Sequence, residues 1–351
     1  MPIALFEAFP QLAERIPWTP LGDFPTPVQP LDVGRPDIFI KRDDRSARPY
    51  GGNKVRKLEF LLAAAKKRGA RRLVTVGAAG SHHALATTIF GKQLGFDVTL
   101  VLFPQPLSDH VRDILLLDVA YGADLRFTRR METVPAALFA TTMRYRRDRA
   151  VVIPAGGSDA VGTLGYVNAA LELAAQIRNG DAVQPATIVV AAGTLGTAAG
   201  LALGFAIVGI PVHIIAARIT SRIVTNERVL TRLIRGAEDI LRRAGMTGDH
   251  AEAAIKSVEL RHEYIGRGYG IATEQADAAH AIFENIGIHL DTTYTAKAAA
   301  ALLQNAETAA GPVLFWHTLS AGEPPLPAQV TVDNLPAPFR SYVLQREESK
   351  P

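Results

Sequence analysis

Arg72-Leu-Val-Thr-Val-Gly-Ala-Ala-Gly-Ser-His-His-Ala-Leu-Ala-Thr-Thr-Ile-Phe-Gly-Lys-Gln-Leu-Gly-Phe-Asp-Val-Thr-Leu-Val-Leu-Phe103 contains an apolar run, a short loop, a helix-length segment and a second apolar run. Residues 72–76 read as a buried strand, 78–83 as a loop, and 84–94 as a helix closed by Gly95. Residues 97–103 form the next strand, stopped by Pro104. Two strands joined by a helix of this length form a parallel βαβ unit. Upstream, 38–41 reads as a strand, and a helix runs from Lys54 to about Gly69. Downstream, 111–120 is a helix and 124–127 a strand. The pattern restarts with strands at 150–153, 187–190 and 212–216, separated by helices at 162–179 and 197–208. Residues 225–244, 276–286 and 295–305 are helical, 312–316 is a last buried strand, and the proline-rich tail beyond Glu323 is expected to be irregular. No repeat of solenoid length is present. The expectation is an α/β chain with open, twisted, mainly parallel sheets and helices on both faces.

The totals narrow the function. With 351 residues, 48% hydrophobic and 21% charged, the chain is globular and long enough for one large or two ordinary domains. A net charge of +4 is a weak field at this length and does not call for nucleic acid. The densest basic spot, Arg144-Tyr-Arg-Arg-Asp-Arg149, reads as a solvated helix end. Absence of cysteine excludes disulfides, thiolate catalysis and cysteine-ligated metal, and is compatible with a reducing cytoplasm. Residues 1–18 lack the basic-then-apolar pattern of a secretory signal. The uncharged run 182–217 is long enough to span a bilayer. Its prolines, glycines and His213 divide it better into strand, loop, helix and strand, so no membrane partner is expected.

One stretch carries chemistry. In Pro49-Tyr-Gly-Gly-Asn-Lys-Val-Arg-Lys-Leu-Glu-Phe-Leu-Leu62, Gly51 and Gly52 allow a tight turn that delivers Lys54 to a helix start. Leu58, Leu61, Leu62 and Ala65 give that helix a core face. A protonated amine there opposes the helix dipole. If buried, the amine loses its proton more readily and can condense with a carbonyl. Lysines are common and mostly solvated, so the four residues Gly-Gly-Asn-Lys alone favour a surface lysine. A second feature is Gly193-Thr-Leu-Gly-Thr-Ala-Ala-Gly200, between a strand and a helix. Its backbone N–H groups and the positive helix end make an anion cradle. It lacks the Gly-Lys-Ser/Thr ending of a nucleotide loop and the Gly-x-Gly-x-x-Gly spacing. Paired His82 and His83 rarely ligate one ion together, and no metal is expected.

Asp23-Phe-Pro-Thr-Pro27, Ile38-Phe-Ile-Lys-Arg-Asp-Asp44 and Gly51-Gly-Asn-Lys-Val-Arg-Lys-Leu-Glu59 occur in this order and at these distances. Together they resemble the fold type II (tryptophan synthase β-like) pyridoxal-phosphate enzymes. The nearest branch is that of 1-aminocyclopropane-1-carboxylate deaminase and D-cysteine desulfhydrase. The resemblance implies pyridoxal 5'-phosphate as cofactor, bonded to Lys54 beside Asn53. It implies that Gly193, Thr194, Leu195, Gly196 and Thr197 hold the phosphate, with Lys57 a candidate charge contact. It also implies a smaller domain at 51–164, a larger one formed by 1–50 and 165–351, and a homodimer.

Further blocks extend the resemblance. Gly80-Ser-His-His83 aligns with a loop that grips the substrate carboxylate, so Ser81 is the candidate ligand or base. His82 replaces an asparagine that donates to the cofactor's phenolic oxygen, and His83 matches the family histidine. Ala84-Leu-Ala86 departs from the polar pair of close relatives. Ile153-Pro-Ala-Gly-Gly-Ser-Asp-Ala-Val-Gly-Thr-Leu-Gly-Tyr166 matches a block expected to pack a hinge. Gly268-Tyr-Gly-Ile271 and Leu290-Asp-Thr-Thr-Tyr-Thr-Ala-Lys297 resemble two tyrosine blocks, making Tyr269 and Tyr294 candidates near ring and substrate. Taken singly, each tyrosine is more often a core aromatic. Ring-opening relatives carry a glutamate at the position of Thr295, facing the pyridine nitrogen; desulfhydrase-like relatives carry threonine. In Leu314-Phe-Trp-His-Thr-Leu-Ser320, Leu319 and Ser320 replace two glycines. The expected activity is that of a lyase on a small amino acid. The leading form is D-cysteine desulfhydrase-like α,β-elimination giving keto acid and ammonia. Cyclopropane deamination, β-replacement, racemisation, or cofactor binding with little turnover are the alternatives.

Overall fold

The computed structural model describes residues 3–344. The chain divides into two compact units. One comprises the chain up to Phe60 with Ser158–Gly322, the other Leu61–Gly157 with the chain from Glu323 onward.

The larger unit is built on a six-stranded sheet. Its strands are β1 (Val28–Pro30), β2 (Ile38–Lys41), β7 (Thr187–Ala192), β8 (His213–Arg218), β9 (Val258–Arg261) and β10 (Val313–Trp316), in the order β1-β2-β10-β7-β8-β9. Only the β1–β2 pair is antiparallel. Val189 and Phe315 face one cluster of buried apolar side chains, and Ile188 and Leu314 the other. Helices therefore cover both faces, as the apolar runs of its central strands require. Glycines let two of these helices meet closely. A Cβ on Gly200 would lie 2.4 Å from Tyr166 Cβ, and one on Gly204 would lie 2.5 Å from Ala170 Cβ. This brings the Gly196–Val208 helix hard against Ala160–Arg178.

The smaller unit holds a four-stranded parallel sheet of β3 (Arg72–Ala78), β4 (Asp97–Phe103), β5 (Asp124–Phe127) and β6 (Val151–Ile153), in the order β5-β4-β3-β6. Its helices include His82–Gln93, Asp109–Ala120 and Val134–Arg144. The apolar run 182–217 resolves into strand, turn, helix and strand. No helix among the described residues is long and apolar enough to cross a membrane.

The division differs from the expected 51–164 at three places, each with a physical reason. Residues 51–60 join the larger unit because Arg56 is locked there to Asp43 and Glu172. Residues 158–164 join it as well, starting with Ser158 Oγ 2.6 Å from Thr194 Oγ1. The tail beyond Glu323 joins the smaller unit and is not wholly irregular. It forms an Ala337–Leu344 helix that sets Phe339 edge-on to Phe127 at 5.0 Å, and Tyr342 OH donates to Gln105 O at 2.5 Å. Proline density hid this helix, yet Pro336 precedes it and Pro338 sits in its first turn, where no intrahelical N–H donor is needed.

Candidate active site

Lys54 opens the Lys54–Lys67 helix. Its Nζ donates to Asn53 Oδ1 at 2.6 Å, and Asn53 Nδ2 donates to Thr197 Oγ1 at 3.2 Å. One asparagine thus ties the lysine to the glycine turn. Burial pulls the Lys54 pKa down to about 8, and the Asp291 carboxylate opposes that shift. A minor but appreciable share of the amine is therefore neutral near physiological pH.

The turn itself is shaped for close approach. Leu195 sits in the left-handed region at φ 66° and caps the Gly196–Val208 helix. A non-glycine residue there stores on the order of 1 kcal/mol of strain. A Cβ on Gly196 would lie 2.6 Å from Ser158 Oγ and 3.1 Å from Lys57 Nζ. A Cβ on Gly193 would lie 3.1 Å from Tyr294 Cε1. Lys57 Nζ donates to Ser158 Oγ at 3.1 Å, and that oxygen is 2.6 Å from Thr194 Oγ1. Lys57 is buried. Burial, then the neighbouring Lys54 charge, hold its pKa well below the ordinary lysine value, with Asp159 opposing. Lysine amines, hydroxyls and first-turn N–H groups in one place call for an anion.

Arg56, on the same helix, anchors this machinery from behind. It is fully buried and donates to Asp43 (2.9 and 2.8 Å) and Glu172 (2.8 and 2.9 Å). Glu172 also accepts from Lys41 at 2.7 Å. Tyr166 OH and Trp316 Nε1 each donate to Asp43 at 2.7 Å. Burial would raise the pKa of both Asp43 and Glu172, yet the Arg56 guanidinium holds both below the usual carboxylate range. Sequence reasoning missed this network. The available signal was the charged Lys41-Arg-Asp-Asp44 run directly after a buried strand.

Tyr269, Tyr294 and Thr295 belong to the same unit. Tyr294 OH donates to Tyr269 OH at 2.9 Å. Burial raises both phenol pKa values, so both stay protonated. Asp291 accepts from the backbone N–H of Thr293, Tyr294 and Thr295 at 2.7–3.0 Å. The Thr295 hydroxyl donates to Asp291 Oδ1 at 2.7 Å and accepts from Asp291 N at 2.8 Å. Lys297, also missed in the sequence, donates to Ile265 O and Gly268 O and so fixes the loop bearing Tyr269.

Ser81, His82 and His83 lie in the smaller unit. Ser81 caps the His82–Gln93 helix, its Oγ accepting from Ala84 N at 3.3 Å. Gly77 makes room for it, since a Cβ there would lie 2.5 Å from Ser81 Oγ. His82 packs on His110 with ring centroids 4.8 Å apart. His83 is buried against β3, its Nε2 3.0 Å from Thr75 Oγ1.

Comparison with known proteins places these features in a family. Residues 16–318 match the pyridoxal-phosphate dependent enzymes. The chain is 34% identical over 322 residues to nocardicin C-9' epimerase of Nocardia uniformis subsp. tsuyamanensis, covering 88% of this chain and 94% of that one. It is 36% identical over 322 residues to D-cysteine desulfhydrase of Klebsiella pneumoniae, covering 87% and 94%. A solved structure described as an ACC deaminase homologue superposes with a TM-score of 0.75 at 32% identity, covering 91% of this chain and 95% of that one. Helix-start lysine, glycine turn and family match agree: the chain belongs to the pyridoxal-phosphate dependent enzyme family.

Proposed function

We propose that the protein is a lyase that eliminates a β-substituent from a small amino acid, in the manner of D-cysteine desulfhydrase. The observation that carries this is the hydrogen-bond path from Lys54 through Asn53 to Thr197. It brings an amine that loses its proton near neutrality to the same wall as an anion cradle. The residues fit the cofactor. Gly196 leaves open the space that a Cβ would fill, beside Ser158 and the buried Lys57.

Thr194, Leu195, Gly196 and Thr197 would hold the phosphate by backbone N–H and hydroxyl groups, with Gly193 opening the turn and Lys57 adding charge. When bound, the cofactor supplies an aldehyde for Lys54 and a ring that withdraws electrons from the substrate's Cα. Lys54 Nζ, when neutral and free, would take the α-proton as the base. Tyr294 and Tyr269, kept protonated by burial, are proton donors. Thr295, whose hydroxyl donates to Asp291 here, would present the ring nitrogen with a neutral group that cannot stabilise a protonated ring by charge. A weaker electron sink suits a reaction in which a leaving group discharges the carbanion at once. Ser81 is assigned to the substrate carboxylate on resemblance, and His82 and His83 to substrate recognition on the same ground. A cytoplasmic homodimer completes the reading.

A panel of D- and L-amino acids tests it, with keto acid, ammonia and sulfide as readouts. D-cysteine should give all three. A second reading, inversion at Cα, is favoured by the 34% identity to an epimerase. It shares the α-proton step but releases no ammonia. Inversion without ammonia, or no turnover of any amino acid, would overturn the elimination.

A further inference from the structure

The Glu274–Asn285 helix buries Ala276, Ala279 and Phe283 and leaves His280 and Glu284 one turn apart in its C-terminal half. The helix stops in a paired-bond motif. Gly287 N donates to Glu284 O at 3.0 Å, and Ile288 N donates to Phe283 O at 2.9 Å, with Gly287 at φ 72°. The reversal returns His289 to the helix end. Its chain neighbours Ile288 and Leu290 are both buried, so the backbone beneath His289 is fixed from either side. His289 Nδ1 lies 2.7 Å from Glu284 Oε1, and His280 Nε2 lies 3.6 Å from the same oxygen. All three ligand atoms fall within 4.8 Å of one another. The two rings are nearly perpendicular, at 82°, rather than stacked.

We propose that His280, Glu284 and His289 bind one divalent transition ion of the zinc class. Two imidazoles and one carboxylate form a ligand set that suits such an ion. Tetrahedral bonds of about 2.0–2.1 Å place ligand atoms about 3.3 Å apart, a spacing that the two measured distances bracket. The field also agrees. A helix C-terminus carries partial negative charge, which disfavours a bare Glu284 carboxylate and favours a cation beside it. Partial exposure of all three side chains leaves the remaining coordination positions to water.

A second cluster, His82, His110 and Glu323, has similar spacing but the opposite field. Its imidazoles stand at the first and second residues of two helices, His82–Gln93 and Asp109–Ala120. Positive helix ends repel a cation, and the Glu323 carboxylate, 3.2 Å from His110 Nδ1, already supplies the anion they favour. The ion is therefore assigned to the first cluster and not to the second.

Untagged holoenzyme, stripped with a chelator, is titrated with zinc by calorimetry and with cobalt by its visible absorption. One equivalent should bind with micromolar affinity and give a tetrahedral cobalt spectrum. His289→Ala and Glu284→Gln should each weaken binding by at least about tenfold, and His110→Ala should leave it unchanged. Circular dichroism confirms that the variants fold. No saturable binding, binding indifferent to His289→Ala and Glu284→Gln, or loss on His110→Ala would overturn the assignment. In the first case the cluster is a set of histidine–carboxylate contacts.

Discussion

Lys54 and Arg56 stand two residues apart on one helix and are held in opposite ways. Arg56 is enclosed by two carboxylates, each held ionised by it, and those carboxylates are further bonded by Lys41, Tyr166 and Trp316. Around Lys54 the opposing charge among the described residues is Asp291, and burial wins. The first arrangement fixes a helix end in place; the second leaves an amine chemically available. The difference lies in how many fixed anions surround a buried cation, because each one restores part of the solvation lost on burial. Substitutions at the two positions should therefore fail in different measurements.

Lys54→Ala should have the largest effect. It removes the amine that bonds the cofactor, so the visible absorption of the lysine-bound cofactor and its reduction by borohydride should vanish. Turnover should drop by roughly 10³-fold or more, while the unfolding midpoint of the cofactor-free protein stays close to that of the parent. A variant that keeps the same spectrum and turnover would remove the central assignment. Arg56→Met should do the reverse. It strands Asp43 and Glu172 in the interior, and breaking one partner of a buried pair costs about 3–5 kcal/mol. Chemical denaturation of the cofactor-free protein reads that loss. A change under about 1 kcal/mol would mean that water replaces the guanidinium and that the network does not fix the helix.

Gly196→Ala separates the two regions from the side of the phosphate. The new methyl would meet Ser158 Oγ at 2.6 Å and Ser158 Cβ at 3.0 Å. Ser158 must swing away, breaking its contacts with Thr194 and Lys57. Cofactor affinity should weaken roughly 10- to 100-fold, about 1.4–2.7 kcal/mol, with little change in the stability of the cofactor-free protein. Equilibrium dialysis with pyridoxal phosphate checks it. Unaltered affinity would place the phosphate elsewhere.

What the sequence showed and what it hid divide along the same line. Gly51-Gly-Asn-Lys54 and Gly193–Thr197 are contiguous, and their chemistry follows from local backbone freedom and helix ends, so both were visible as words. The Arg56 network joins residues 43, 56, 172 and 316, which only the tertiary fold brings together. No spacing rule predicts such a set. Asp291 was invisible for a subtler reason. It sits in a quoted block, but its carboxylate caps the chain ahead of the Thr295–Ala306 helix and binds the Thr295 hydroxyl, a geometry set by backbone angles. The Ala337–Leu344 helix shows the same limit, since its partners Phe127 and Gln105 lie more than two hundred residues away.

The finest test of the comparison is a pH profile. Only neutral Lys54 can attack the cofactor aldehyde. With a pKa of about 8, about one amine in eleven is neutral at pH 7, half at pH 8 and about ten in eleven at pH 9. The rate at which cofactor-free protein regains its visible absorption should rise about fivefold from pH 7 to 8, and less than twofold from pH 8 to 9. Dividing by the rate for free N-acetyl-lysine removes the cofactor's own titration. An ordinary lysine near 10.5 would keep gaining almost tenfold per unit across that range. Asp291 raises the Lys54 pKa, so Asp291→Asn should move the bend to lower pH and speed reconstitution at pH 7. If the bend stays near 8 in that variant, the carboxylate's field does not reach the amine, and burial alone sets the difference between Lys54 and Arg56.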